Sequence, residues 1–374
     1  MQINKCLYGS TIGIIGGGQL GRMMATAAKH MGYCIVVLDP TPDCPTAQVA
    51  DEQIVAAYDD KHAIERLAKK CHVITYEFEN VDLASAQYIE EKGLLPQGAQ
   101  SLAITQDREK EKDAMAKSNQ PVAPYAIIRT EKELDQALAT VGYPCVVKTC
   151  RGGYDGKGQV KLQTEKDRSE AIELLHQQKR LIVERWISFD KEISIVFTRF
   201  ANGEISFFPV AENLHHDHIL YMTIAPARIS SDLAKKAKDA AKAIAETIEV
   251  VGTFTIEMFV KDDRIYVNEL APRPHNSGHY TIEACNVSQF EQHIRSICGL
   301  KPIPVYFHGA SIMINLLGDD VAPYFEQIDN FPAHVHMYGK AEIKPKRKMG
   351  HVTYIGNDLD VLYETLVNKK QIKI

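Results

Sequence analysis

The amino-acid sequence predicts an α/β N-terminal unit built on a parallel sheet, followed by an α+β body dominated by antiparallel strands. Three observations carry this. Strand and helix patterns alternate over the first hundred residues, which means βα units with helices on both faces of a parallel sheet. After residue 150 strand patterns follow one another directly, as in a meander, with one long helix between them. At 374 residues the chain exceeds what one hydrophobic core holds, so two or three domains are expected.

Taken in order, Ile12–Ile15 reads as a strand and Gln19–Met31 as a helix, with Leu20, Met23, Met24, Ala27 and Met31 on one face and Gly32 as its stop. Tyr33–Asp39 and Gln53–Ala57 read as strands, Lys61–Lys70 as a helix, His72–Tyr76 as a strand and Asp82–Lys92 as a helix. The texture changes near LLPQGAQ, which sets a first domain at 1–100. A charged helix, 107–117, follows, then YAIIRT, a helix from Glu131 and the strand YPCVVKT, 143–149. The strands GQVKLQ, RLIVERWI, EISIVFTRF and GEISFFPV come next, then a helix at Ser231–Glu249 and two adjacent strands, TFTIEMFVK and IYVNEL. A second domain therefore spans 101–300, with a glycine-loop subdomain at about 125–187. The remainder, 301–374, holds three strands, ASIMINLLG, AHVHMYG and HVTYIG, and a terminal helix, and reads as a small β-rich domain.

Composition narrows the function. A formal charge of −5 argues against a nucleic-acid partner, although basic residues cluster locally in KPKRKMGH, 344–351. The eight cysteines include no C-x-x-C, which suits free thiols in a reducing compartment better than disulfides or zinc. No stretch approaches the ~20 apolar residues of a membrane span, and the apolar run after MQINKCLYGS breaks at Gly16, too soon for a signal peptide. A soluble, cytoplasmic protein without membrane or nucleic-acid partners is expected.

Two glycine loops and two charged clusters carry the chemistry. In TIGIIGGGQLGRMM, Gly16, Gly18 and Gly21 fall on G-x-G-x-x-G after a strand and before a helix, and the next strand ends on Asp39. By motif alone this is a dinucleotide fingerprint and suggests NAD. The second loop, KTCRGGYDGKGQV, joins two strands and does not read GxxxxGK[ST]. Such a hairpin can fold over phosphates, with Lys148 and Lys157 supplying charge. RLIVERWI offers backbone groups to a base edge, and Glu184 and Glu192 are acceptors for amino or hydroxyl groups. Glu257 and Glu269 lie on two strands of a hairpin. A three-residue turn, 262–264, sets them opposite each other, whereas a two-residue turn pairs Glu257 with Asn268. Two opposed carboxylates suit Mg²⁺ beside a nucleotide. LAPRPHNSGH then brings Arg273, His275 and Asn276 into one stiff loop, an anion-handling set.

Together these motifs resemble the ATP-grasp superfamily, and more closely the family of 5-(carboxyamino)imidazole ribonucleotide synthases. GGGQLGRM, YEFENV (76–81), GGYDGKGQ (152–159), NELAPRPHNSGHYTIEA (268–284) and RKMGH (347–351) carry the resemblance along nearly the whole chain. It implies an ATP-grasp fold with an N-terminal Rossmann-like (preATP-grasp) domain. The implied reaction takes ATP, bicarbonate and aminoimidazole ribonucleotide to ADP, phosphate and the carboxyamino product through carboxyphosphate, with Mg²⁺. By resemblance Arg108, Lys148, Gly153, Tyr154, Asp155, Gly156, Lys157, Gly158, Gln159, Glu184, Arg185, Trp186, Ile187, Glu192, His215, Asn268 and Glu269 surround ATP. Tyr154 and Asp155 also face the imidazole, with Asp155 as proton acceptor for the attacking amine. Arg273, His275 and Asn276 hold bicarbonate and carboxyphosphate, and Glu257 and Glu269 the metal. Lys340, Arg347 and Lys348 take the ribonucleotide phosphate. The first glycine loop then serves the ribonucleotide rather than NAD: GGGQLG, with Gly18, Gln19 and Leu20, cradles its ribose-phosphate end at the helix N-terminus, Gln19 reaches its hydroxyls, and Glu77 and Glu79 meet other polar groups. A homodimer and transient contact with a downstream mutase are also implied. An NAD-dependent oxidoreductase, a non-catalytic nucleotide module and a formate-dependent glycinamide ribonucleotide transformylase are the rival readings at this point.

Overall fold

The computed structural model describes residues 5–152, 158–330 and 332–368. The N-terminal strands β1 (Thr11–Ile15), β2 (Cys34–Leu38), β3 (Glu52–Ile54) and β4 (Val73–Tyr76) form a parallel sheet in the order β3-β2-β1-β4. Helices cover both faces, so Ile12, Ile14 and Ile15 are all buried and the strand needs no polar alternation. α1 (Gln19–His30) buries Leu20, Met23 and Met24, and Gly32 closes it at φ +82°. α2 (Lys61–Lys70) and α3 (Leu83–Glu91) are N-capped by the side chains of Asp60 and Asp82. A short helix that the sequence pattern does not announce, α4 (Ala99–Thr105), leads into α5 (Arg108–Lys117).

The glycine-loop lobe is a four-stranded antiparallel sheet, β5 (Tyr125–Ile128), β6 (Cys145–Thr149), β7 (Gln159–Leu162) and β8 (Leu181–Arg185), ordered β5-β8-β6-β7. Helices α6 (Glu131–Val141) and α7 (Arg168–Gln177) pack on it, with Leu134, Leu138 and Leu175 in one core with Val183 of β8. The glycine-rich segment runs from β6 to β7, and its base is closed by the Thr149 N–H donating to the Gly158 carbonyl at 2.9 Å.

The remaining strands form one sheet, nine-stranded among the described residues. They are β9 (Lys191–Arg199), β10 (Ile205–Phe207), β11 (Ala211–His216), β12 (Ile219–Ala225), β13 (Gly252–Lys261), β14 (Arg264–Ala271), β15 (Ala310–Leu317), β16 (His334–Met337) and β17 (Lys348–Gly356). Their order is β14-β13-β9-β11-β12-β15-β17-β16, with β10 on β9. The C-terminal strands therefore extend the central sheet through β12 and β15. Helix α8 (Ser231–Ile248) packs Leu233, Ala237, Ala241 and Ile244 against β9 and β13.

Further features differ from the sequence expectation. The segment AENLHHDHILYMTIA, to which the sequence pattern assigns no element, is the β11–β12 hairpin. Its turn, Asp217–His218, has both residues at positive φ, 48° and 65°, without glycine to mark it. Beyond β14, helix α9 (Thr281–Ala284) and helix α10 (Gln289–Ile297) are also unannounced, and α10 packs Phe290, Ile294 and Ile297 against α1 and β1.

Candidate active site

Strands β6, β8, β9, β11, β13 and β14 and helix α5 surround one cavity of about 820 Å³. Of the residues expected at the site, Glu79, Arg108, Lys148, Gln159, Glu184, Arg185, Trp186, Ile187, Glu192, His215, Glu257, Asn268, Glu269, Arg273, His275, Asn276 and Lys348 line it. Gly153, Tyr154, Asp155, Gly156 and Lys157 lie outside the described residues. Gly158 closes the β6–β7 connection at φ +72°.

The carboxylate pair resolves both alternatives at once. The β13–β14 turn has two residues, Asp262 and Asp263, both at positive φ. That turn alone sets Glu257 against Asn268. A bulge between Glu257 and Met258 absorbs one residue of β14, and the observed partner of Glu257 is Glu269. Burial first, then Glu192 and Glu269, push the Glu257 carboxyl up to about 8. A cluster of carboxylates with that deficit of counter-charge fits a hard cation. Among the described residues no group of three or more His, Cys, Asp or Glu side chains is set to hold a metal by itself. Two carboxylates plus nucleotide phosphates is the donor set Mg²⁺ accepts.

At the glycine-loop end, Glu184 is 4% exposed and sits between two ammonium groups, Lys148 Nζ at 2.6 Å and Lys112 Nζ at 2.7 Å. Burial opposes ionisation, yet the two lysines hold its carboxyl well below the usual carboxylate range. Lys161 stacks over Trp186, 3.5 Å from the ring centre, and Arg185 turns its Nε to the Val141 carbonyl. His215 donates to Glu192 at 2.9 Å, and this partner, acting against burial, raises its imidazole above the ordinary value.

The loop after β14 is held from behind by α10. Gln289 accepts from the His275 N–H at 2.9 Å and donates to the His275 carbonyl at 2.7 Å. The Ser277 N–H is 3.3 Å from His275 Nδ1, so Nδ1 accepts and the ring hydrogen lies on Nε2, facing Glu257 Oε1 at 3.5 Å. Burial, then Arg273 and Lys348, keep His275 neutral. Arg273 pairs with Glu79 at 2.7 Å. Among the described residues Arg273 Nε and both amide atoms of Asn276 are buried without a hydrogen-bond partner.

Among the cavity residues that sequence reasoning missed, two are buried charges, Glu111 and Lys112. Glu111 accepts from the Leu270 N–H at 2.7 Å, and burial, then Glu269, push it up to about 8. The spacing 108, 111, 112, 115 is a helical core-face spacing occupied by charge at three of four places, and that was the available signal.

Gly18, Gln19, Leu20, Glu77, Lys340 and Arg347 are not among the cavity-lining residues. Of the expected amide cradle, one donor, the Gly18 N–H, is already held by an internal acceptor. Glu77 accepts from the Gly18 and Gly21 N–H groups, the latter at 2.7 Å, and Asp39 accepts from the Gly17 N–H at 2.7 Å. The N–H groups of Gly17, Gly18 and Gly21 are thus satisfied internally by the protein's own carboxylates. Lys340 donates to the Lys348 carbonyl at 2.7 Å, and burial, then Arg347, push it down to about 8. Arg347 donates to the Glu342 carbonyl.

With this geometry in hand, comparison with known proteins identifies the relatives. Residues 9–106 match the ribonucleotide synthetase preATP-grasp domain, 113–290 the ATP-grasp domain and 311–365 the phosphoribosylaminoimidazole carboxylase C-terminal domain. The N5-carboxyaminoimidazole ribonucleotide synthase of Bacillus subtilis (strain 168) is 48% identical over 363 residues, 96% of this chain and 95% of that one. The crystal structure of an ADP complex of an N5-carboxyaminoimidazole ribonucleotide synthetase superposes with a TM-score of 0.94 at 49% identity, covering 98% of this chain and 97% of that one. The Staphylococcus aureus N5-carboxyaminoimidazole synthetase complexed with ADP gives 0.94 at 44% identity, covering 98% and 99%. The chain belongs to the N5-carboxyaminoimidazole ribonucleotide synthase family of the ATP-grasp fold.

Proposed function

We propose a division of labour within this cavity for the family's reaction, the ATP- and bicarbonate-dependent carboxylation of the exocyclic amine of 5-aminoimidazole ribonucleotide in purine biosynthesis. One observation carries it: nucleotide-type groups (Lys148, Glu184, Trp186), an opposed carboxylate pair and the orphaned polar atoms of Arg273 and Asn276 line a single cavity.

Bicarbonate is a poor electrophile. Phosphorylation by ATP gives carboxyphosphate, and the amine then takes up its carboxyl carbon with loss of phosphate and one proton. Phosphoryl transfer needs positioning and charge neutralisation more than covalent chemistry. Lys148 and Arg108 serve the phosphates, and Glu192 and His215 the nucleotide's polar groups. Glu257 and Glu269 would hold Mg²⁺, which when bound would supply charge neutralisation at the phosphates. The orphaned Arg273 Nε and Asn276 amide offer hydrogen bonds to bicarbonate. Neutral His275, with hydrogen on Nε2, adds a donor without adding charge. Tyr154 and Asp155 keep the substrate-facing roles the resemblance gives them. Gln48 donates to the Gly339 carbonyl at 2.8 Å, which brings the Lys340 segment beside the N-terminal unit that carries the first glycine loop, in keeping with a ribonucleotide between them. A homodimer, a cytoplasmic location and transient contact with a downstream mutase complete the proposal. Among the described residues no helix is long and apolar enough to cross a membrane.

The test is phosphate release from ATP with Mg²⁺ and aminoimidazole ribonucleotide in degassed buffer. Release is expected to depend on bicarbonate, with ¹³C from labelled bicarbonate on the substrate amine. Release with formate and glycinamide ribonucleotide instead would reassign the substrate.

A further inference from the structure

Glu184 has two lysines where one would neutralise it, and the two are not equivalent. Lys148 stands at the end of β6 with its side chain 18% exposed at the cavity. Lys112 is 2% exposed, and its ammonium also reaches the Asn268 carbonyl, at 3.4 Å, on the bulge beside Glu269. It is built into the wall. The helix that carries it, α5, is tied to the glycine-loop lobe by the Arg108 N–H donating to the Cys150 carbonyl, and to β14 by Glu111.

We propose that Lys112 is a positioning residue, the resident counter-ion of Glu184, which lets Lys148 turn from that carboxylate to a nucleotide phosphate. Two ammonium groups on one carboxylate leave one surplus positive charge, on the lysine free to move. If Lys148 were the sole partner, each nucleotide bound through it would strand a buried carboxylate, a state far costlier than an exposed one. With Lys112 in place Glu184 stays paired whether Lys148 faces it or the phosphates. Lys112 thereby acts through Glu184 and Lys148, without touching the nucleotide.

This rests on the nucleotide reading of the cavity, and a double-mutant cycle tests it separately. Mg·ADP binding by calorimetry, and KM and kcat for ATP, would be measured for the full-length chain and for Lys112→Met, Lys112→Arg, Glu184→Gln and the Met/Gln double variant. Lys112→Met is expected to weaken Mg·ADP by about tenfold or more, with KM for ATP rising more than kcat falls, while Lys112→Arg stays within about threefold of the parent. Removing the charge of Glu184 in the Lys112→Met background is expected to bring affinity back to within about threefold of Glu184→Gln alone. Equal losses in both backgrounds would mean that Lys112 merely adds positive field or packing, and would overturn the proposal, as would an unaffected Lys112→Met. Should Lys112→Met fail to fold, the double variant against Glu184→Gln decides alone. Absence of bicarbonate-dependent phosphate release by the parent would count against the carboxylation reaction and leave the ADP cycle readable on its own.

Discussion

Glu257 sits where burial, Glu192 and Glu269 all oppose its negative charge, and its carboxyl is pushed up to about 8. In the unfolded chain it ionises in the ordinary carboxylate range. Between that range and about 8 the folded state holds the extra proton, so stability of the free protein falls as pH rises through this window. Glu257→Gln removes the group that must ionise. Its melting temperature is expected to exceed that of the parent by roughly 2–4 °C at pH 8.5, with a smaller gain at pH 6, while Mg²⁺-dependent turnover is lost. A thermal melt at both pH values checks this, and an unchanged or lowered value at pH 8.5 would contradict it. The residues that sequence reveals best are those in rigid, unusual strings, such as Arg273, His275 and Asn276. Glu111 and Lys112 escape because a charged run ordinarily means a solvated helix face, and burial that pairs charge with charge leaves no apolar periodicity to read.

The loop from Pro272 to Gly278 owes its shape to a different element, helix α10. Gln289 is fully buried and holds both backbone groups of His275, and a Cβ added at Gly278 would approach its Oε1 to 2.4 Å. Gln289→Leu leaves the His275 N–H unpaired, while the His275 carbonyl keeps its second donor, the Gly278 N–H. The expected cost is roughly 1–3 kcal/mol of unfolding free energy, together with a raised KM for bicarbonate and little change in KM for ATP. Denaturant unfolding with bicarbonate titration would show it, and wild-type KM values would detach the clamp from the anion site. Elements with strong local signals were legible in sequence: the β1–α1 unit, the acid-capped helices and the long α8. The β11–β12 hairpin and the β14 bulge were not. Asp217–His218 and Asp262–Asp263 adopt positive φ without glycine or asparagine, and the bulge is decided by pairing across β9, β13 and β14 rather than by local composition.

Across the whole molecule, the N-terminal sheet and the central body share one interior. Thr75 meets His293 at 2.8 Å, Gln97 donates to the Pro272 carbonyl at 3.1 Å, and α1 and α10 pack in a common core. The C-terminal strands continue the central sheet. With this much buried across the junctions, scanning calorimetry is expected to show one cooperative transition rather than a separate, earlier melting of the first hundred residues. Two resolved transitions would contradict it. Fold class was visible from the order of elements. How the three segments join was not, because the joints are made by Thr75, Gln97 and His293, single polar residues without a sequence signature.

The carboxylate of Glu77 in the first glycine loop gives that motif another meaning. Its partner Gly21 lies 56 positions upstream, so the residue that holds this amide is remote from the motif itself. The three glycines preserve a tight passage from strand to helix, and an internal acid holds two of its amides. A scan for G-x-G-x-x-G therefore sorts chains by scaffold. Sorting them by cofactor requires asking what stands at the end of the neighbouring strand. An acidic side chain there takes amides that a dinucleotide's pyrophosphate would otherwise use.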